Sequence, residues 1–489
     1  VAAESPDRQQ FPWWYDLVSS TVRSPAVDTR HAIFTNRSLR FDRIKAVGFD
    51  FDHTLAIYNS SAIDAQAMDL VIERLKRHER IPASHFENLP AAHFARKGLI
   101  VDIELGNVLK TDRYGHVLHA HRGREKLKPA EKRRIYGDSD VIPNVSEGQR
   151  FLQVDSAFSQ PEVILFAGLA PRMKDGGCRR LWRKLRAHTD KVHRDGSLKN
   201  ILTRSPGDYL EHDPLTEPML RHLRAGGKKV FLLTNSEWEY TRAMINPTLS
   251  NREGEDLQWL HLFDEVVVEA GKPGYFNPRK GAPKAECVGP AKVYRGGNID
   301  DLETRLGCGG PEILYVGDHI YSDLISSKRR QSWRTMLVIG ELEDELKVQS
   351  MLPGVVQQLK GADERRTATE REVQHWRAVE AALDRLRDPD HREMVKRLKT
   401  DCAESRKKAL DALKEYIQQR ERLRGKISNA TNPYWGSLFR AGNELTYFGR
   451  QIEDFACTYT SRATNLIYYD PKHYFRSAMD YLPHELETM

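Results

Sequence analysis

Short runs rich in Val, Ile and Leu recur along this chain, each closing on a polar or charged group, and they constrain its fold more than any other feature. IKAVGFDFDHTLA begins at Ile44, KKVFLLTNS spans 228–236, LFDEVVVEAGKP 262–273, EILYVGDHIYSD 312–323 and TMLVIGEL 335–342. Each is too short for a stable helix, and helical stretches lie between several of them. That is the pattern of a parallel sheet covered on both faces, an α/β doubly wound architecture. In such sheets ligands bind beyond the carboxyl ends of the strands. The chemistry-bearing residues stand at those ends.

Asp50 and Asp52 are two residues apart in GFDFDHT, so an extended backbone would turn both side chains to one side. Thr234, Asn235 and Ser236 close the next run, Lys272 follows the third in GKPGYF, and Asp318 and Asp323 lie in GDHIYSD. Taken singly, each is commonplace: a DxD pair in an exposed turn, a Thr or Ser capping a helix, a surface lysine, a helix start. Taken in order, each closing an apolar strand, they describe one site. Aspartates gathered at one sheet edge repel one another, and an all-oxygen ligand set points to Mg²⁺ as the counter-ion.

The rest of the chain bounds the reading. At 489 residues the length allows about three domains, or one elaborated one. The boundaries are read as 1–59, a lead-in with the first core strand and its DxD; 60–225, an inserted cap with part of the core; 226–362, the core; 363–426, a charged helical hairpin; and 427–489, an aromatic segment that packs back. In the hairpin, Val373, Trp376, Val379, Leu383 and Leu386 recur at helical spacing, as do Met394, Leu398, Leu410, Leu413 and Ile417, with a break at Asp388-Pro389-Asp390. VILFAGLA at 163–170 reads as a buried strand or core helix, too short to span a membrane. The first residues lack a basic region followed by an apolar stretch, and five scattered cysteines contain no CxxC pair. A cytoplasmic protein is expected, outside the secreted, membrane-spanning and zinc-finger classes. The net charge of +7 is small for this length and suits steering of phosphorylated small molecules as well as it suits nucleic acid. No nucleic-acid signature supports the latter.

The ordered set of motifs resembles the haloacid dehalogenase-like phosphohydrolases. The resemblance implies a Rossmann-like core, Asp50 as nucleophile, Asp52 as acid and then base, Thr234 and Lys272 on the phosphoryl group, and Mg²⁺ held by Asp50, the Asp52 carbonyl and Asp318, with Asp323 behind. A second aspartate supplies a leaving-group acid, which favours phosphoryl transfer over dehalogenation. DFDHTLAIY, LLTNSEWEYT, YVGDHIYSD, GSLK at 196–199, GSLFR, YYDPKHYFR and LPHE are similar to the cytosolic purine 5′-nucleotidases acting on IMP and GMP. This likeness runs from about residue 30 to 489. It implies nucleotide-contacting roles for Arg186, Asp190, His193 and Lys199, a purine-stacking role for Phe158, substrate contacts for Asn235 and Ser236, and a homo-oligomer, dimer or tetramer.

Asp454, three residues after Gln451, and Asp155 stand where animal relatives carry basic and Asn residues in an effector site. Two added acids oppose a nucleotide triphosphate, so weak ATP activation is expected. A nucleoside phosphotransferase using the same intermediate and a scaffold binding partners through the hairpin are the rival readings. A scaffold has no need of Asp50, Asp52, Thr234, Lys272, Asp318 and Asp323 together.

Overall fold

The computed structural model describes residues 27–137, 142, 150–174, 176–250, 257–279, 281–290, 292–386, 390–478 and 485. The earliest lead-in residues, the Asp388-Pro389 break and most of LPHE lie outside them. The chain divides into two compact units, residues 1–343 with 438–489, and residues 344–437.

In the larger unit, β1 (Phe34–Thr35) and β2 (Ala46–Phe49) come first. An insertion follows with β3 (Ile100–Asp102), β4 (Asn107–Thr111), β5 (Val117–Arg122), β6 (Glu125–Lys126) and β7 (Phe151–Gln153). The chain then returns as β8 (Lys229–Leu233), β9 (Glu265–Val268), β10 (Glu286–Cys287), β11 (Val293–Arg295), β12 (Ile313–Gly317), β13 (Arg334–Val338) and β14 (Thr458–Thr460). The main sheet runs β1-β14-β13-β12-β2-β8-β9-β11-β10. From β14 to β11 every neighbouring pair is parallel, and β1 and β10 close the two edges antiparallel. All five expected runs therefore become adjacent parallel strands of a Rossmann-like α/β sheet. β14, in the segment read only as packing back, is a strand that the sequence reading did not place.

The central strands are buried on both faces, which their apolar runs require. Packing is tight enough to select residues: a Cβ on Gly48 of β2 would lie 2.1 Å from the Phe231 ring of β8. Phe231, Tyr315, Trp333 and Phe276 form one face of the core.

The insertion folds its five strands into a separate antiparallel sheet, β6-β5-β4-β3-β7. The insertion also carries α1 (Ser60–Glu79), α2 (Gln160–Leu169), α3 (Gly177–Arg194) and α4 (Ser197–Arg204), which pack on one another, and α5 (Trp238–Ser250) follows β8. The VILFAGLA run becomes α2, buried from Pro161 to Leu169 on all sides. Pro161 in its first turn is preorganised for a helical start, and an all-round apolar surface is what a core helix needs.

The smaller unit contains α6 (Pro353–Arg385) and α7 (Arg392–Thr431). Its buried seam differs from the expected one. Ala362, Thr369, Val373 and Leu383 of α6 meet Cys402, Ala409 and Leu423 of α7, whereas Leu386, Met394, Leu398, Leu410 and Ile417 are exposed. Small residues at Cys402 and Ala409 let the helices approach. Flanking ion pairs, Lys399–Asp384 at 2.6 Å and Arg406–Glu380 at 3.2 Å, frame the seam.

Candidate functional site

Four neighbouring strands, β12, β2, β8 and β9, deliver their carboxyl ends to one place. Asp50 follows β2 directly and is tied to the sheet through its amide, which donates to the Val316 carbonyl at 2.9 Å. Beyond it the strand does not continue. The amides of Thr54, Leu55 and Ala56 all turn back to the Phe51 carbonyl, and His53 adopts a left-handed φ of 57°. Asp52 thus reaches the site on a tight turn rather than by the extended alternation expected of DxD.

Lys272 is the hub. Its buried ammonium lies 2.9 Å from Asp50 Oδ1, 2.9 Å from Asp323 Oδ1 and 2.9 Å from the Tyr315 hydroxyl. Its backbone is fastened to the turn after β8, since the Lys272 amide donates to Asn235 Oδ1 at 2.7 Å and the Asn235 side-chain Nδ2 donates to the Lys272 carbonyl at 3.1 Å. Burial opposes the Lys272 charge, yet Asp323 and Asp50 outweigh it and hold the ammonium well above its ordinary pKa. Burial raises the Asp50 carboxyl well above the usual carboxylate range against the pull of Lys272, and Asp323 and Asp318 add to the rise.

Asp323 is wholly buried and accepts the His319 amide at 3.1 Å. Gly317, the last residue of β12, makes room for it: a Cβ there would fall 2.5 Å from Asp323 Oδ2. Asp318 meets a cation that the sequence reading missed. Lys97, from the insertion and 4% exposed, donates to Asp318 Oδ2 at 2.8 Å and to its carbonyl at 3.3 Å. Burial works against the Asp318 charge, but Lys97 and then His53 prevail and keep its carboxyl below the usual range.

Asp50, Asp318 and Asp323 each present a carboxylate oxygen, all within 4.8 Å of one another. The donor set suits a hard divalent cation. The two lysines occupy Asp50 Oδ1, Asp323 Oδ1 and Asp318 Oδ2, so Asp50 Oδ2 and Asp318 Oδ1 stand outside those contacts.

Asp52 is bonded on both oxygens. Ser236 Oγ donates to Oδ2 at 2.6 Å, and the Tyr58 hydroxyl donates to Oδ1 at 2.5 Å. Ser236, expected on substrate, is engaged with Asp52. Thr234 is fully buried, and its hydroxyl oxygen accepts the Ser236 amide at 3.1 Å.

Beside these groups opens a cleft of about 1030 Å³, lined by Glu162, Arg186, Asp190, Asn235, Lys272 and His319 among others. Phe158, 38% exposed, is held edge-on by His53 at 4.8 Å and His193 at 5.5 Å between ring centroids. Arg186 is committed to Glu162, with 2.9 Å between Nη1 and Oε1, and stands 3.6 Å from Asp190. Lys199 is turned to Glu237 at 2.6 Å. Asp155 and Gln451 border the cleft, with Asp155 3.8 Å from His319 Nε2. Asp454, expected next to them, pairs instead with Arg450 at 3.3 Å, and its carbonyl accepts from Arg37 at 2.6 Å.

Residues 33–487 match the model of the 5′ nucleotidase family. The chain belongs to that family. This membership makes it a phosphoric monoester hydrolase acting as a nucleotide phosphohydrolase. A 5′-nucleotidase domain-containing protein of Dictyostelium discoideum is 27% identical over 485 residues, 95% of this chain and 76% of that one. The 5′-nucleotidase domain-containing protein 2 of Rattus norvegicus is 27% identical over 482 residues, 93% and 80% of the two chains. Among solved structures, a predicted phosphoglycolate phosphatase from Haemophilus somnus 129pt aligns at 13% identity and a TM-score of 0.25, covering 60% of this chain and 85% of that one. The fold of this 5′ nucleotidase family member rests on its own strand order and not on that score. No helix among the described residues is long and apolar enough to cross a membrane.

Proposed function

We propose that this family member hydrolyses 6-oxopurine nucleoside 5′-monophosphates, IMP and GMP, through an aspartyl-phosphate on Asp50, with Mg²⁺ as cofactor. The observation that carries the reading is a strand-end carboxylate, Asp50, 2.9 Å from a buried ammonium and clustered with two further acids. A carboxylate nucleophile splits a hard displacement into two easier ones.

In the first step an Asp50 oxygen bonds to phosphorus, the bond from phosphorus to the 5′ oxygen breaks, and protonated Asp52 gives its proton to that oxygen. In the second, a water oxygen bonds to phosphorus and gives its proton to Asp52, and the bond from phosphorus to Asp50 breaks. Lys272 holds Asp50 and neutralises phosphoryl charge. Thr234, whose oxygen already accepts from Ser236, keeps its hydroxyl proton for a phosphoryl oxygen. Asp50, the Asp52 carbonyl and Asp318, with Asp323 behind, would hold Mg²⁺, which would further stabilise the transferring charge.

Phe158, which lines a small pocket with His53 and His193 rather than the large cleft, offers a face for purine stacking. Arg186 donates to an acceptor at C6, and Asp190 accepts from the neighbouring ring N–H. His193 backs Phe158, and Lys199, paired with Glu237 in the free protein, is the remaining cation of the set.

The test is phosphate release from IMP by metal-stripped protein, before and after addition of Mg²⁺. Release only after addition supports the reading. Full activity without metal, or none with Mg²⁺ present, overturns it.

A further inference from the structure

We propose that Tyr58 is a positioning residue for Asp52, supported in turn by Tyr240, so that a chain of two buried phenols stabilises the acid that releases the nucleoside. The proposal rests on the reading of Asp52 as leaving-group acid. Tyr58 belongs to the short strand Ile57–Tyr58, paired with Leu210–Glu211, and Tyr240 to α5. The two side chains are 6% and 7% exposed. The Tyr58 hydroxyl donates to Asp52 Oδ1 at 2.5 Å, and the Tyr240 hydroxyl is 2.8 Å from that of Tyr58. A phenol has one proton. Since Tyr58 gives its own to Asp52, Tyr240 is the donor in the second bond.

The consequence lies in the timing of charge. While Asp52 carries its proton, the Tyr58 bond joins two neutral groups. As the proton passes to the 5′ oxygen, Asp52 becomes an anion and the bond becomes charge-assisted, with Ser236 doing the same at Oδ2. An interaction stronger in the transition state than in the ground state accelerates the step. The tyrosine chain also anchors the turn from Phe51 to Ala56 that carries Asp52.

The experiment compares kcat/KM of wild type, Tyr58→Phe and Tyr240→Phe on IMP and on p-nitrophenyl phosphate. This constant covers steps only up to departure of the leaving group. p-Nitrophenolate departs without protonation, so it bypasses Asp52 as acid. Tyr58→Phe is expected to lose roughly ten- to hundredfold on IMP and less than about threefold on p-nitrophenyl phosphate. Tyr240→Phe should show the same asymmetry in smaller measure, and it carries the comparison alone if Tyr58→Phe does not fold. Equal losses on both substrates would make the phenols packing residues, and an unchanged rate on IMP would remove their role; either overturns the proposal while leaving the phosphohydrolase reading intact. Wild type releasing phosphate from neither substrate overturns that reading, and this proposal with it.

Discussion

Arg186 Nη1 of α3 lies 2.9 Å from Glu162 Oε1 of α2, a pairing of a half-exposed guanidinium with a carboxylate only 1% exposed. The second oxygen, Oε2, is buried without a partner among the described residues. Burial raises the Glu162 pKa to about 7 even though Arg186 pulls it down. The folded value exceeds the unfolded one, so the folded protein binds the extra proton. Stability from this group is therefore present below about pH 4.5 and is lost as pH rises towards 7, by roughly 3 kcal/mol at most. Glu162→Gln should match wild type in thermal midpoint near pH 5 and exceed it near pH 8. A difference that stays constant with pH would refute the assignment.

Asp50→Asn keeps the size of the side chain but removes the attacking charge, one member of the acid cluster and the partner of Lys272. Phosphate release should fall by several orders of magnitude. Asp52→Asn should lose less on p-nitrophenyl phosphate than on IMP, since general acid assistance is worth ~10²–10⁴ where the leaving group needs a proton. Steady-state rates on both substrates check this. An Asp50→Asn enzyme retaining more than about a tenth of the wild-type rate would exclude covalent catalysis by that residue.

Under the proposed reading, base selectivity depends on Arg186 donating and Asp190 accepting. Adenine reverses both demands, so both groups, half-exposed in the free protein, are left mismatched once the base covers them. IMP and GMP should exceed AMP by roughly 10²–10⁴ in kcat/KM. Asp190→Asn, whose amide can donate to a bare ring nitrogen, should narrow that ratio. Initial rates on IMP, GMP, AMP and CMP decide the matter, and an unchanged ratio would mean that Asp190 does not read the base.

Gly317→Ala places a Cβ 2.7 Å from the Asp323 carboxyl carbon. Relief requires moving a wholly buried acid or the end of β12. The expected cost is ~1–3 kcal/mol of stability, together with weaker Mg²⁺ binding by calorimetry. Unaltered Mg²⁺ affinity would detach Asp323 from the metal site.

The clustering at one end of the sheet was legible because each clustered residue stands next to its own apolar strand. Asp50, Thr234, Lys272 and Asp318 needed only the rule that parallel strands share a carboxyl edge. The spatial order β12-β2-β8-β9, which places Asp50 between its partners, is not written in the local pattern. Nor is Lys97, which reaches Asp318 only through the path of the insertion, or Glu162, which stands at the head of an apolar run and reads there as a helix-start carboxylate. Tyr58 stood six residues beyond Asp52 in DFDHTLAIY, and Tyr240 in WEYT, without any mark that their hydroxyls meet. In the hairpin, helical spacing found the helices but not the seam. Met394 and Leu398 read as inward residues, whereas contact is decided by the small side chains of Cys402 and Ala409, which spacing alone undervalues.

The place of β14 has a consequence for how this protein is made. A strand from residues 458–460 sits between β1 and β13, so the sheet takes one of its inner members from a segment more than a hundred residues after its neighbour β13. During synthesis β13 emerges long before that partner and waits with an unpaired edge, the kind of surface that invites association with other chains. Closure of the sheet is a late, long-range event. A ribosome-bound intermediate carrying the whole edge of clustered acids and Lys272 would still lack this strand, and chaperone demand should peak in that interval.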